Sequence, residues 1–249
     1  MFDSLVNPKN TDAVIKVKHL VNHTSGLVDN EAALVSSYYF LPGQDLTTTG
    51  AQIMQQAGVT EHQVKQLSEF INAYFYVNGE YYDSSNFSGS EPGSEEAYSN
   101  AASALMAYLI EKASATPYET FLKKEILDPL GMSNTTFDYT FPNENYATLY
   151  YDKDTPLPYY GFESYPDGAL KTSNDDLIKY VSDMIKGVRG EPAAFSATFY
   201  ETVFGGTSDS YAVFWELGNS EMLSFGHNGG DPGLGSELFS QDSLTRVFS

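Results

Sequence analysis

Three short stretches hold the side chains able to move protons or meet a substrate. The first is His23-Thr24-Ser25-Gly26-Leu27. The second joins Pro92-Gly93 to Tyr98-Ser99-Asn100. The third is Gly226-His227-Asn228-Gly229-Gly230-Asp231-Pro232-Gly233. A free tyrosine titrates at about pH 10 and is a poor base at neutrality, whereas a histidine loses its charge above about pH 6.5. Each candidate also has an ordinary reading. Tyr98 alone is a core or surface tyrosine, Asn100 a helix N-cap, and His227 a satisfied strand histidine. His19 and His23 stand at i and i+4, a spacing that holds zinc on a helix, but no Glu follows His19 as in His-Glu-x-x-His. Packing and a loop hydrogen bond are the preferred roles for that pair. Ser25 beside His23 is not read as a nucleophile, because sequence neighbours rarely face each other as a triad requires.

The elements that must position these groups are helices first and strands last. Val17, Leu20 and Val21 share a helical face within 13–27, and Gly26 ends the run. A second helix is expected over 61–74, with Val64, Leu67, Phe70 and Ile71 on one side. Turn signals over 78–94 predict a long surface loop. Asn100 is read as the N-cap of a buried helix over 101–113, and Pro117 as the first turn of another over 118–127, ended by Asp128-Pro129 and Gly131. Ser173 and Asp176 suit the start of a helix over 175–186, closed near Gly187. Short β-rich runs follow at 211–217, 222–226, 234–240 and 244–248, with a hairpin signal at Gly218-Asn219. This order predicts an α+β fold with an antiparallel sheet, in one domain over 1–249.

Composition narrows the partners. The net charge of −20 repels phosphate backbones and anionic lipid, so nucleic acid and bilayer surfaces are poor partners. The absence of Cys excludes thiol nucleophiles, thiolate metal sites and disulfides. No apolar run is long enough for a membrane span. Met1 to Asn10 lack the basic and apolar regions of a signal peptide, so the compartment stays unknown. The acceptor patterns at Asn22, Asn86 and Asn134 are read as chance, and no Gly-x-Gly-x-x-Gly supports a nucleotide cofactor. No cofactor is expected.

At the three stretches, the chain resembles the serine hydrolases of the β-lactamase and penicillin-binding-protein superfamily. The resemblance is to the class C β-lactamase-like branch, which includes D-alanyl-D-alanine carboxypeptidases and esterases. His19–Leu27, Pro92–Asn100, Glu111–Thr135, Tyr165–Leu177 and Gly226–Gly233 match family segments in the expected order. Ala169 stands where the family prefers Gly. The resemblance implies a helical subdomain beside an antiparallel sheet, and an acyl-enzyme mechanism on a small peptide, ester or β-lactam-like substrate. It implies Tyr98 as the proton-transfer group, Asn100 as the group orienting the substrate, and His227 as the donor on the pocket strand. Asn228, Gly229 and Gly230 then face the substrate, with the Gly230 N–H in the oxyanion hole. A histidine at 227, where the penicillin-targeting enzymes have lysine, favours a peptidase or esterase over an efficient β-lactamase.

One family element is missing. No Ser in the chain has Lys three residues later, so the Ser-x-x-Lys nucleophile motif is absent. The expectation is a family domain cut at both ends, in which Tyr98 stays neutral and no acyl-enzyme forms on this polypeptide alone. A non-catalytic module binding peptidoglycan-like peptides is the alternative. Loss of flanking strands is also expected to expose a sheet edge along 244–248 and promote self-association.

Overall fold

The structure is a computed structural model that describes residues 5–139, 146–205, 210–218, 224–241 and 244–248, the side chains of 241 and 244–248 excepted. The chain forms two compact units. The first comprises Met1–Tyr108, Phe141–Ala169 and Gly230–Leu234; the second comprises Leu109–Thr140, Leu170–Gly229 and Gly235–Ser249. Each is described separately.

The first unit is built from α1 (Val17–Val21), α2 (Glu31–Ser36), β1 (Tyr38–Phe40), α3 (Thr49–Ala57), α4 (Leu67–Phe75), the first turns of α5 (Asn100–Ser114), β2 (Tyr150–Asp152), β3 (Thr155–Pro156) and β4 (Tyr160–Phe162). Local chemistry starts the helices. Asn30 and Thr48 accept from Ala33 and Ala51 N–H at the starts of α2 and α3, as N-caps do. At α4 the Glu69 carboxylate reaches back to the Gln66 N–H at 2.8 Å. The buried centre gathers Leu20, Leu27, Phe70, Ile71, Tyr74, Phe87 and Leu105. β1 and β4 pair antiparallel in the register Tyr38↔Phe162 and Phe40↔Tyr160. The Tyr38 ring stacks on Phe162 at 4.7 Å and on Tyr160 at 5.6 Å, a cross-strand cluster of the kind that stabilises short strands.

The second unit contains the rest of α5, then α6 (Tyr118–Leu122), a π-helical turn (Lys123–Leu127), α7 (Asp128–Leu130), α8 (Asn174–Val188) and α9 (Ala197–Phe204). Its sheet has the order β5 (Glu216–Leu217), β6 (Ser224–Asp231), β7 (Leu234–Gln241), β8 (Leu244–Phe248). Met184 of α8, Tyr200 of α9, Ala212, Trp215 and Phe225 of β6 form its aromatic-rich core. Two buried carboxylates tie α8 down. Asp183 accepts from Tyr200 O–H at 2.6 Å and Ala194 N–H at 2.7 Å. Asp176 accepts from Lys179 and the Asn134 N–H, both at 2.7 Å, and from the Thr135 hydroxyl at 3.0 Å. Burial opposes ionisation of Asp176, yet those donors outweigh it and hold its pKa below the usual carboxylate value.

The α+β class expected from the chain order is the one observed. Several boundaries move. The helix expected over 61–74 begins only at Leu67, and Val64, 39% exposed, lies outside it. The predicted surface loop over 78–94 is partly interior: Asn86 and Phe87 are fully buried, because the Asn86 amide donates to the carbonyls of Tyr74 and Tyr81, both at 2.9 Å. Asn100 is the first residue of α5 rather than its N-cap, and the cap is the Ser99 hydroxyl, which accepts from Ala102 N–H at 3.0 Å. The run at 211–217 shrinks to a two-residue strand, and the run at 222–226 extends through Asp231. Asn219, half of the expected hairpin signal, lies outside the described residues.

Candidate active site

In the first unit, Tyr98 and Asn100 are brought together. The Tyr98 O–H donates to Asn100 Oδ1 at 3.1 Å. The Tyr98 ring is 43% exposed, although it lies 4.4 Å from the ring of His23. His23 itself is 1% exposed and adopts φ of 55°. Its Nδ1 accepts from the Ser99 N–H at 3.2 Å, and its carbonyl accepts from Ala97 N–H at 2.7 Å. Thr24 O accepts from Gly93 N–H, and Gly26 O from Ser88 N–H, both at 2.7 Å. The His-Thr-Ser-Gly segment is therefore the backing on which 88–99 are laid. Ser25 is buried and its hydroxyl accepts from Leu27 N–H at 3.2 Å, a local turn. His19 Nδ1 accepts from Lys16 N–H at 3.2 Å, and burial lowers its pKa, with Lys18 and Lys16 adding to the effect.

A residue not singled out from the sequence completes this cluster. The Asp29 carboxylate accepts from the Ser99 hydroxyl at 2.9 Å, Asn100 N–H at 2.8 Å, Asn100 Nδ2 at 2.9 Å and Ala101 N–H at 3.0 Å. It satisfies the first backbone donors of α5, where a negative charge is favoured. The only sequence signal was an Asp two residues after the His-Thr-Ser-Gly-Leu segment. Its partners lie 70 to 72 residues away, beyond any local pattern.

The end of β6 and the turn after it, Gly230–Leu234, also belong to the first unit. Asp231 accepts from Tyr38 O–H at 2.5 Å, and Pro232 O accepts from Tyr160 O–H at 3.0 Å. Gly233 has φ of +78°, and a Cβ there would sit 2.9 Å from the backbone N of Tyr150, so only glycine fits. Burial pushes the half-buried Asp167 carboxyl well above its usual pKa, and the charges of Asp231 and Asp29 push further, against a hydrogen bond from Ser164.

In the second unit, His227, Asn228 and Gly229 follow one another along β6. His227 is half-buried, and Asn228 and Gly229 are exposed. The His227 Nδ1–H donates to the Asn228 carbonyl at 2.5 Å, which in the neutral ring leaves the lone pair on Nε2. A cavity of about 110 Å³ opens beside His227 and Asn228, walled by Glu216, Gly226, Glu237 and Phe239. Gly230, assigned to the first unit, has no described atom within 4 Å of where a Cβ would stand, so its backbone is open to approach. Among the described residues no group of three or more His, Asp or Glu is gathered as a metal ion would need, and no helix is long and apolar enough to cross a membrane.

Chemically, the first cluster offers a phenol held by a fixed amide, and β6 offers an imidazole and bare backbone. The beta-lactamase family model matches residues 6–240. A penicillin-binding protein of Bacillus subtilis is 26% identical over 249 residues, covering 90% of this chain and 48% of that protein. A putative penicillin-binding protein of the same organism is 28% identical over 158 residues, covering 61% of this chain and 39% of its own. The chain thus spans about half or less of the length of these curated relatives. Among solved structures, an octameric penicillin-binding protein homologue from Pyrococcus abyssi superposes with a TM-score of 0.68 at 22% identity, over 97% of this chain and 54% of that one. A D-amino acid amidase from Ochrobactrum anthropi, complexed with D-phenylalanine, gives 0.65 at 18% identity, over 95% and 64%. A class C beta-lactamase gives 0.59 at 18% identity, over 97% and 67%. With the family match running through the Tyr-Ser-Asn segment and β6 alike, the chain belongs to the beta-lactamase family of serine hydrolases.

Proposed function

We propose that this chain carries the proton-transfer and substrate-positioning part of an acyl-transfer site for peptide, amide or ester carbonyls. Tyr98 passes the proton to and from the reacting group, and Asn100 orients the acyl chain. His227 meets a substrate carboxylate, while Asn228 and Gly229 line its path and the Gly230 N–H faces the oxyanion. The observation that carries the reading is the hydroxyl of the exposed Tyr98 paired to a fixed Asn100 amide beside a buried His23. A hydrolysable amide is common to the names of the D-amino acid amidase and beta-lactamase neighbours, and a D-alanyl peptide or an ester is the substrate class favoured here. Because no Ser-x-x-Lys is present, the chain by itself forms no acyl-enzyme, since the weak phenol has neither the serine to activate nor the lysine to assist it.

The test is covalent labelling of the 249-residue chain with a fluorophosphonate and a fluorescent penicillin, alongside equilibrium binding of an acyl-D-Ala-D-Ala peptide. No stoichiometric adduct is expected, and His227→Ala is expected to weaken peptide binding about tenfold. A stoichiometric adduct overturns the proposed inactivity. Peptide affinity indifferent to Tyr98→Phe, Asn100→Ala and His227→Ala overturns the site. The same missing motif favours a second reading, a binding module without turnover. Binding without hydrolysis, even after addition of a polypeptide bearing Ser-x-x-Lys, selects it.

A further inference from the structure

We propose that Asp29 is a positioning residue that sets the direction of the Asn100–Tyr98 hydrogen bond and so keeps Tyr98 a neutral proton donor. The inference rests on the reading of Tyr98 as the proton-transfer group.

A carboxylate only accepts hydrogen bonds. Asp29 Oδ2 takes both the backbone N–H and the side-chain Nδ2 of Asn100, at 2.8 and 2.9 Å. Oδ1 takes the Ser99 hydroxyl and the Ala101 N–H. With its NH₂ committed to Asp29, the Asn100 amide must turn its carbonyl the other way. That carbonyl is the atom 3.1 Å from the Tyr98 hydroxyl. The flipped amide would set Oδ1 against the carboxylate, acceptor against acceptor, so the negative charge excludes it. A carbonyl facing a tyrosine oxygen requires that oxygen to keep its proton, because a phenolate would again oppose an acceptor. Hydrogen bonding to the neutral form disfavours ionisation. Asp29 therefore acts on Tyr98 through a fixed dipole while accepting its hydrogen bonds from residues 99–101. The His23 ring, 4.4 Å from the phenol, holds Tyr98 in reach of that dipole.

Among the described residues of the first unit, the titratable groups at this cluster include His23 against the Tyr98 ring, Asp29 itself, and Asp167 and Tyr74, which both feel the Asp29 charge. Ser99, Asn100 and Ala101 add no charge. The arrangement suits a group that must donate a proton to a leaving atom, and it makes Tyr98 dependent on another cation before it can act as a base.

The experiment is a pH titration of tyrosine-¹³Cζ-labelled chain by NMR, with the Tyr98 resonance assigned by Tyr98→Phe. In Asp29→Asn the Tyr98 midpoint is expected to fall by about one pH unit. Asp29→Asn removes an acceptor from the α5 terminus, so Asn100→Ala serves as a second variant that leaves Asp29 its backbone donors and the Ser99 hydroxyl. It removes the carbonyl that opposes the phenolate and is expected to lower the midpoint in the same direction. A Tyr98 midpoint equal to wild type in folded Asn100→Ala, or in folded Asp29→Asn, overturns the inference. The measurement needs no turnover. An unchanged midpoint would thus reject the role of Asp29 while leaving Tyr98 in the site, and failed peptide binding would reject the site while leaving the titration intact.

Discussion

The Tyr98–Asn100 cluster and the β6 motif are held by opposite means. Around Tyr98, position is set by buried or half-buried polar groups that saturate one another: four donors on Asp29 and a backbone N–H on the His23 ring. Along β6, position comes from the strand ladder, and the side chain is withheld at Gly226, Gly229 and Gly230. A Cβ on Gly226 would come within 2.5 Å of the Leu238 carbonyl on β7, and Gly230 faces open space. The first region fails when an atom is removed, because donors are stranded away from water. The second fails when an atom is added at Gly226, because a backbone oxygen on the next strand cannot yield.

Four tests can break that contrast. The largest effect is expected for Gly226→Val, at about 3 kcal/mol or more of lost stability by urea unfolding. A loss below about 1 kcal/mol, on the order of a surface change, would show that β6 tolerates a side chain at position 226 after all. Next is Asp29→Ala, expected to cost about 2–3 kcal/mol because it leaves the Asn100 and Ala101 N–H groups and the Ser99 hydroxyl without their acceptor. A cost no larger than that of an exposed helix cap replaced by alanine would mean that water substitutes for the carboxylate.

The third test sets a carboxylate of each unit against the other. Asp167 has a folded pKa raised above its unfolded value, so the stability it confers is full below the unfolded value and is lost as pH rises through the folded one. Asp176 has a depressed folded pKa, so its contribution is present above the unfolded value and lost as pH falls through the folded one. Asp167→Asn is therefore expected to raise the urea midpoint at about pH 8 and to lose that advantage in acid. Asp176→Asn is expected to lower it at about pH 8, with the deficit shrinking in acid. The same pH trend in both variants would refute the assignment. The smallest effect is expected for His227→Ala, less than about 0.5 kcal/mol, since the ring is half-exposed and its hydrogen bond to the Asn228 carbonyl is local. Circular-dichroism melts of that variant separate its stability from its binding defect.

How much of this was legible depended on distance along the chain. Helix α8 could be read because its cap and its periodicity are local: Ser173 accepts from Asp176 N–H three residues on. The β1–β4 pair could not, since three-residue strands carry almost no pattern and Tyr38 finds Phe162 across 124 positions. Helices α2, α3 and α9 lay in stretches where no periodicity stood out. Tyr98, Asn100 and His227 were visible as motifs. The Ser99 hydroxyl as the true cap was missed by one position, although its bond to Ala102 N–H is local, and Asp29 beneath it was not visible, because its role is defined by where segment 23–29 lies against segment 97–101.

The amino-acid sequence alone determined the family, the α+β order, the absence of thiol chemistry and the lack of a Ser-x-x-Lys pair. These follow from residue identity and short spacing. Only the tertiary structure decided which way the Asn100 amide points, that His23 is buried beneath Tyr98, and that β6 must stay bare at Gly226. Those facts depend on groups brought to within 2.5 to 4.4 Å of one another by the fold, where a hydrogen bond or a clash exists at one orientation and vanishes at another.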